Sequence, residues 1–193
     1  LMMEKQGVPA VVCFNKTDLA KEKELSVLMD VYKDCGHRVI FTSVSGETGL
    51  SEIREAVDHK TTVLAGPSGV GKSSMMNLLY PDANMETGAV SEKIQRGKHT
   101  TRHSELIRVG EDTFVMDTPG FSSLFVDMFE EDEIKYYFKE FEPYEGQCRF
   151  QGCSHTHEPG CGVKQALDEG KISKTRYDNY VLIYNELKEK RKW

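Results

Sequence analysis

Short apolar runs alternate with amphipathic stretches along this chain, and most of its elements can be read from that alternation. Residues 9–14 (PAVVCF) are apolar without interruption, which reads as a strand buried in a parallel sheet. Residues 38–42 (RVIFT) read as a second strand. Between them, residues 19–34 carry Leu25, Leu28, Met29 and Tyr32 at helical spacing, so these four are expected to face a core, with Gly36 closing the helix. A short helix is expected over 51–57. The β-branched run 61–65 (TTVLA) predicts a third strand, and the helix-forming run 74–79 follows it until Pro81 breaks the pattern. Residues 82–103 are polar and nearly aperiodic. Residues 105–109 and 113–116 predict a hairpin around Gly110-Glu111-Asp112. Residues 130–141 predict an acidic amphipathic helix with Ile134, Tyr137, Phe138 and Phe141 on its apolar face, ended by Pro143. A short helix at 163–167, stopped by Gly170, precedes a longer one at 173–192. Ser173 is expected to cap it, with Tyr177, Tyr180, Val181, Tyr184 and Leu187 on one stripe. Residues 1–7 look like the last turns of a helix terminated by Gly7, from which an upstream segment is expected.

Composition places these elements in a globular chain. The 193 residues suffice for one domain of ordinary size and a small appendage. Hydrophobic content of 38% with charged content of 29% excludes a disordered chain. No apolar run approaches the length of a membrane span and no secretory stretch opens the sequence, so a cytoplasmic protein with no membrane partner is expected. The net charge of -6 argues against nonspecific nucleic-acid binding by the whole surface. The charge is uneven: residues 145–193 hold 9 Lys+Arg against 7 Asp+Glu, so an acidic body carries a mildly basic tail.

Residues 66–73 read GPSGVGKS, a full match to G-x-x-x-x-G-K-[ST] in the strand–loop–helix setting it needs. In Gly66, Pro67, Ser68, Gly69, Val70, Gly71, Lys72, Ser73 and Ser74 the glycines let backbone N–H groups turn inward onto phosphate oxygens, and the following helix adds its positive N-terminus. Lys72 is expected to reach the outer phosphates and act in catalysis, and the Ser73 hydroxyl to ligate Mg²⁺. Asn15-Lys16-Thr17-Asp18 is an N-K-x-D at the C-terminal edge of the first strand. Asp18 can accept from the N1–H and exocyclic amine of guanine, a donor pair that adenine lacks. Asn15 is expected to fix the loop and the Lys16 stem to lie over the base. Ser43, Val44 and Ser45, in the loop after the second strand, are expected to buttress the guanine. In the long loop, Thr101, or next Thr100, is expected to close over Mg²⁺ and the γ-phosphate. The cations Lys93, Arg96, Lys98, His99, Arg102 and His103 beside it suit contacts to RNA phosphates. Asp117-Thr118-Pro119-Gly120 is a D-x-x-G, whose Asp117 would hold Mg²⁺ through water and whose Gly120 N–H would sense the γ-phosphate. The next residue, Phe121, cannot orient water, so unaided hydrolysis is expected to be slow, with His99 a catalytic candidate from the long loop.

Three of the five cysteines lie in 148–161 (CRFQGCSHTHEPGC), together with two histidines and turn-forming Gly and Pro. This fits one closed, structural Zn²⁺ site ligated by Cys148, Cys153, His155 and Cys161, with His157 the spare. The metal would staple a segment too small for a core of its own.

The guanine motif precedes the P-loop and D-x-x-G comes last, so the usual GTPase order is circularly permuted. The segment ending in Gly120 then leads directly into the metal-binding segment, and nucleotide state is expected to move one relative to the other. The permuted order, GPSGVGKSS, RGKHTTRHSEL, DTPGF and CRFQGCSHTHEPGC together resemble the RsgA (YjeQ/YloQ) family over essentially the whole chain. That resemblance implies an α/β fold: a circularly permuted P-loop GTPase domain, three-layer α/β/α, at 1–129, and a small, mostly helical zinc-binding domain at 130–193. It implies a cytoplasmic GTPase, a monomer, that takes GTP to GDP with Mg²⁺, assists maturation of the small ribosomal subunit, contacts its rRNA and is stimulated by it. Family members also carry an N-terminal OB-fold that contacts RNA, for which these residues hold no counterpart. Two other readings compete. One is a zinc-containing RNA-binding module with a largely non-hydrolysing guanine-nucleotide site. The other is a GTPase serving metal delivery, which would need a labile metal where Cys₃His ligation is closed.

Overall fold

In the computed structural model, residues 1–83, 85, 105–117 and 128–191 are described. The chain forms two compact units, one built from Leu1–Val12, Glu22–Val39 and Phe125–Trp193, the other from Cys13–Lys21 and Ile40–Leu124.

The second unit holds strands β3 (Thr61–Leu64), β4 (Glu105–Arg108) and β5 (Phe114–Asp117) in the order β3-β5-β4. β4 and β5 are the expected hairpin, paired antiparallel, while β3 runs parallel to β5 with Leu64 opposite Asp117. Two parallel strands therefore end side by side, at the edge where open α/β sheets bind ligands. Helix α4 (Lys72–Leu79) leaves the P-loop and buries Met75, Met76 and Leu79. They pack with Val115 of β5, Ile40, and Ile53 and Val57 of α3 (Leu50–Val57). Helix α3 starts at Gly49, whose φ is +69°; a Cβ there would stand 2.2 Å from the Phe41 carbonyl oxygen, so only glycine fits.

Strands β1 (Val11–Phe14) and β2 (Arg38–Phe41) form a separate two-stranded sheet among the described residues. β1 is not buried on both faces, as its unbroken apolar run suggests. It alternates exposed and half-buried residues, and Val11 is 43% exposed. Among the described residues its strand neighbour is β2, and the burial on both faces that its apolar run predicts is not seen.

In the first unit, helix α1 (Met2–Lys5) ends before Gly7, whose φ of +65° is the expected helix stop. Helix α2 (Glu22–Tyr32) buries none of its residues, and Met29 is 56% exposed rather than core-facing. Among the described residues it packs chiefly against α7 (Lys174–Lys190), which covers a narrower seam than the broad face that four apolar positions suggest. Residues 130–141 also depart from the expected helix. They make two 3₁₀ turns, Ile134–Tyr137 and Lys139–Phe141, broken at Phe138, and helix α5 (Glu142–Glu145) begins only afterwards. Pro143 therefore opens a helix instead of ending one. It has no N–H for a helix running through it, but its locked φ suits a first turn. Ile134, Phe138 and Phe141 still enter the core as their spacing implies, with Phe141 edge-on to Tyr180 at 5.0 Å. Helix α6 (Gly162–Asp168) adds Val163 and Ala166, and α7 adds Tyr180, Tyr184 and Leu187. Ser173 holds the N-cap position of α7 without a side-chain capping bond.

Arg176 of α7 is bound by Glu140 through two hydrogen bonds, 2.6 Å from Nε and 3.1 Å from Nη2. The Glu140 side chain is 4% exposed and that of Arg176 17%. Glu140→Ala strands a cation and is expected to cost about 2–3 kcal/mol, somewhat below a fully buried pair because Arg176 keeps some water. Thermal unfolding would measure it, and an unchanged midpoint would contradict it.

Among the described residues no helix is long and apolar enough to cross a membrane.

Candidate functional site

Three of the expected guanine-nucleotide segments meet within the second unit, and Asn15 is their junction. Its Nδ2–H donates to the Val70 carbonyl of the P-loop at 2.8 Å, and its Oδ1 accepts from Thr42 Oγ1 at 3.1 Å. Gly71 lies under this contact with φ +97°, and a Cβ there would stand 2.4 Å from Asn15 Nδ2. A side chain at 71 would therefore push the two loops apart. Lys16 adopts a left-handed backbone, φ +65°, unusual for a side-chain-bearing residue. Its Nζ donates to the Gly69 carbonyl at 2.7 Å, so consecutive residues of N-K-x-D grip consecutive carbonyls of the P-loop.

Asp18 is exposed, as a base-reading group must be. Ser43 Oγ donates to one of its carboxylate oxygens and Ser45 Oγ to the other, the second at 2.8 Å. The Ser43 bond first, then that of Ser45, lowers its pKa below the usual carboxylate value. The S-V-S loop is closed on itself, since Ser43 and Thr48 exchange both backbone hydrogen bonds and Ser43 Oγ also accepts from the Gly46 N–H at 2.9 Å. Val44 is packed against the core cluster.

Gly66, Pro67, Ser68, Gly69 and Val70 form the loop between β3 and α4, and Ser73 and Ser74 stand in the first turn of α4. Lys72 Nζ donates to the Gly66 and Pro67 carbonyls at 2.9 and 3.1 Å, so its charge is held over that loop. Asp117 is the last residue of β5. Lys93, Arg96, Lys98, His99, Thr100, Thr101, Arg102, His103, Gly120 and Phe121 lie outside the described residues.

The residue that pattern reading misses is Thr42. It is fully buried, takes hydrogen bonds from Thr17 N and Thr17 Oγ1 on its carbonyl at 3.1 and 3.0 Å, and orients Asn15. Its only sequence signal is its place between the second strand and the S-V-S loop. Thr42→Val keeps the shape and removes the donor. Guanine-nucleotide affinity is expected to fall about tenfold, measurable by fluorescent-nucleotide titration, and unchanged affinity would show that Asn15 needs no such guide.

The second cluster lies in the first unit. Cys148, Cys153, His155 and Cys161 place one ligand atom each within 4.8 Å of one another. None of the five cysteines is in a disulfide. Cys148 Sγ and Cys161 Sγ are 3.9 Å apart, close to the roughly 3.8 Å that two thiolates keep around a tetrahedral ion with 2.3 Å bonds. His155 Nδ1 lies 3.6 and 3.4 Å from the same two sulfurs. Backbone N–H groups of His155, Gly162 and Lys164 point at Cys153, Cys148 and Cys161 at 3.4, 3.3 and 3.4 Å, as suits sulfur carrying negative charge. Burial pushes the Cys153 thiol up to about 12 and raises that of Cys161, so a cation is what would make these sulfurs thiolates. The donor set thus fits a metal ion.

Side chains of α7 and of the segment itself brace the cluster. Tyr177 and Tyr180 of α7 donate to the carbonyls of His155 and Ser154, at 2.6 and 2.5 Å. Glu158 accepts from Ser154 N, Ser154 Oγ and His157 N. Desolvation opposes its charge, yet these bonds prevail and bring its pKa down to about 2.

A family of RsgA GTPases matches residues 1–127. The chain belongs to the RsgA GTPase family. The small ribosomal subunit biogenesis GTPase RsgA of Agathobacter rectalis is 55% identical over 192 residues, covering 100% of this chain and 64% of that relative. The chain therefore spans a little under two thirds of the relative's length. Among solved structures, YjeQ from Thermotoga maritima superposes with a TM-score of 0.80 at 35% identity, over 96% of this chain and 62% of that one. YloQ, a circularly permuted GTPase, gives 0.76 at 33% identity, over 98% and 60%. The order of motifs in this RsgA-family chain and the fold of its neighbours agree: it has the circularly permuted P-loop GTPase fold, followed by a Cys₃His cluster.

Proposed function

We propose that this chain binds GTP with Mg²⁺ and hydrolyses it to GDP during maturation of the small ribosomal subunit, which stimulates turnover. The observation that carries this reading is the direct hydrogen bonding of the N-K-x-D loop to the P-loop through Asn15 and Lys16, beside an Asp18 already held by two serines. That arrangement joins base reading to phosphate binding. Asp18 accepts from guanine, the P-loop N–H groups and Lys72 hold the phosphates, and Ser73, with Thr101, holds Mg²⁺. The metal ion supplies charge neutralisation at the phosphates. Lys72 and the backbone N–H groups stabilise charge on the departing diphosphate, and His99 is our candidate for positioning the attacking water. Asp117 and Gly120 complete the nucleotide contacts. One Zn²⁺, structural, is assigned to Cys148, Cys153, His155 and Cys161. We further propose a division at 1–129 and 130–193, rRNA as the contact on the subunit, and a monomer working in the cytoplasm.

The test is phosphate release by the purified chain with and without small subunits. The expected result is slow release alone and at least a tenfold rise with subunits, which His99→Ala removes. Unstimulated release with retained GTP binding would favour instead the zinc-containing RNA-binding module whose nucleotide site does not turn over.

A further inference from the structure

We infer that Lys135 and Glu145 form a relay that fixes His155 as an Nδ1 ligand of the metal and slows the ion's release; this rests on the zinc reading above. The starting point is an orphan. His155 is fully buried, and its Nε2 has no hydrogen-bond partner, the sole buried side-chain nitrogen or oxygen among the described residues in that position. Its other nitrogen, Nδ1, is the one turned to the sulfurs of Cys148 and Cys161. A neutral imidazole that ligates through Nδ1 must carry its proton on Nε2. The metal thus creates a buried donor, and a buried donor needs an acceptor.

Glu145 Oε1 faces that atom at 3.9 Å. The gap is about 1 Å longer than an N–H···O hydrogen bond, within reach of a small change in side-chain torsion. Glu145 does not stand there by itself. Lys135 Nζ binds its Oε1 at 2.7 Å and also donates to the Cys153 carbonyl at 3.1 Å. The chain of contacts therefore starts at the backbone of one ligand and ends at the ring of another. Lys135 comes from the first 3₁₀ turn and Glu145 from the end of α5, so both lie outside the cysteine-rich segment.

Charge supports the same arrangement. Three thiolates and one histidine around a dication carry a net charge of -1. Lys135, with a side chain only 7% exposed, puts a cation next to that anion. A Lys–Glu pair of purely structural value would need neither the contact with the Cys153 carbonyl nor a carboxylate oxygen aimed at an orphaned ring nitrogen. Partners of this kind orient a metal-ligating histidine and set its tautomer.

The experiment follows zinc release from the full chain to an excess of a chromogenic chelator, for wild type, Glu145→Gln, Glu145→Ala, Lys135→Met and the Lys135→Met/Glu145→Ala pair. Ring nitrogens of His155 are read in parallel by ¹H–¹⁵N correlation. Glu145→Ala is expected to release zinc roughly 10–100-fold faster. Glu145→Gln keeps an acceptor and should fall between it and wild type. The double variant should be no faster than the faster single, because both act through one relay. The spectrum should show Nδ1 metallated and Nε2 protonated. Release by Glu145→Gln and Lys135→Met within twofold of wild type would overturn the relay, as would metallation at Nε2. These two milder variants decide the matter if Glu145→Ala does not fold. A wild-type chain that binds no zinc sinks the zinc reading and the relay together, whereas zinc that stays bound with unchanged release sinks the relay alone.

Discussion

Asp18→Asn is expected to lower GTP affinity by two to three orders of magnitude and to shift preference toward xanthosine triphosphate. The carboxylate offers guanine two acceptors, one for N1–H and one for the exocyclic amine. An amide keeps one acceptor and replaces the other with a donor, which meets the guanine amine head-on. Lost charge-assisted bonds together with an unpaired donor give a discrimination of this size. Xanthine carries a carbonyl where guanine carries the amine, so the new donor suits it. Ser43 and Ser45 matter to the pH dependence. Their hydroxyls hold the Asp18 carboxyl below its ordinary value of 3.8, so the charged form persists, and guanine reading should be flat from neutral pH down to about that value and fall only below it. Titration with fluorescent guanine and xanthine nucleotides checks both claims. An asparagine variant that binds GTP within threefold of wild type would mean that Asp18 does not read the base.

Much of this site is legible in the sequence because loops that bind phosphate and guanine need particular residue types at fixed spacing. Gly71 illustrates it: the φ of +97° and the nearby Asn15 amide leave no room for a side chain, so the requirement is written at that position. The hairpin β4–β5 follows from alternation and a turn, whereas the parallel pairing of β3 with β5 joins strands distant in sequence and shows only in the structure. What pattern reading misses has a common cause, namely that it depends on partners distant in sequence. Thr42 looks like an ordinary strand residue until Asn15 and Thr17 are placed against it. Lys135 looks like a solvent-facing charge of an acidic helix, and Glu145 falls beyond that helix, until the segment breaks into 3₁₀ turns and α5 and the two meet beside the metal cluster. The helical period predicted the right buried residues there, Ile134, Phe138 and Phe141, but the wrong backbone, because apolar spacing of three and four residues is compatible with both. Met29 is the opposite case: its spacing is helical and its helix exists, yet α7 covers only part of that face.

Removing the metal, by chelation or by Cys161→Ser, is expected to have the largest effect on stability. Cys153 and Cys161 are 3% and 5% exposed and belong to the same core as Phe141, Val163 and Tyr180, so the ligands cannot relax into water without opening it. Structural zinc sites contribute on the order of 10 kcal/mol to folding in small domains. That is as large as the whole stability of a domain, about 5–15 kcal/mol, so its loss is expected to unfold the first unit. Residues 148–161 should lose hydrogen-exchange protection, and Tyr177 and Tyr180 should lose their carbonyl acceptors, which near-ultraviolet circular dichroism would register as altered tyrosine signals. Acid should act in the same direction. Burial raises the Cys153 thiol to about 12 and raises Cys161 as well, so metal must displace their protons to bind at neutral pH. Below those values each displaced proton makes apparent affinity fall about tenfold per pH unit of acidification. Two such thiols predict at least a hundredfold loss per unit. A chelator-competition series across pH measures that slope, and a slope below tenfold per unit would show that the sulfurs are already ionised without the metal. The site would then be one the fold prepares in advance, not one that the ion creates.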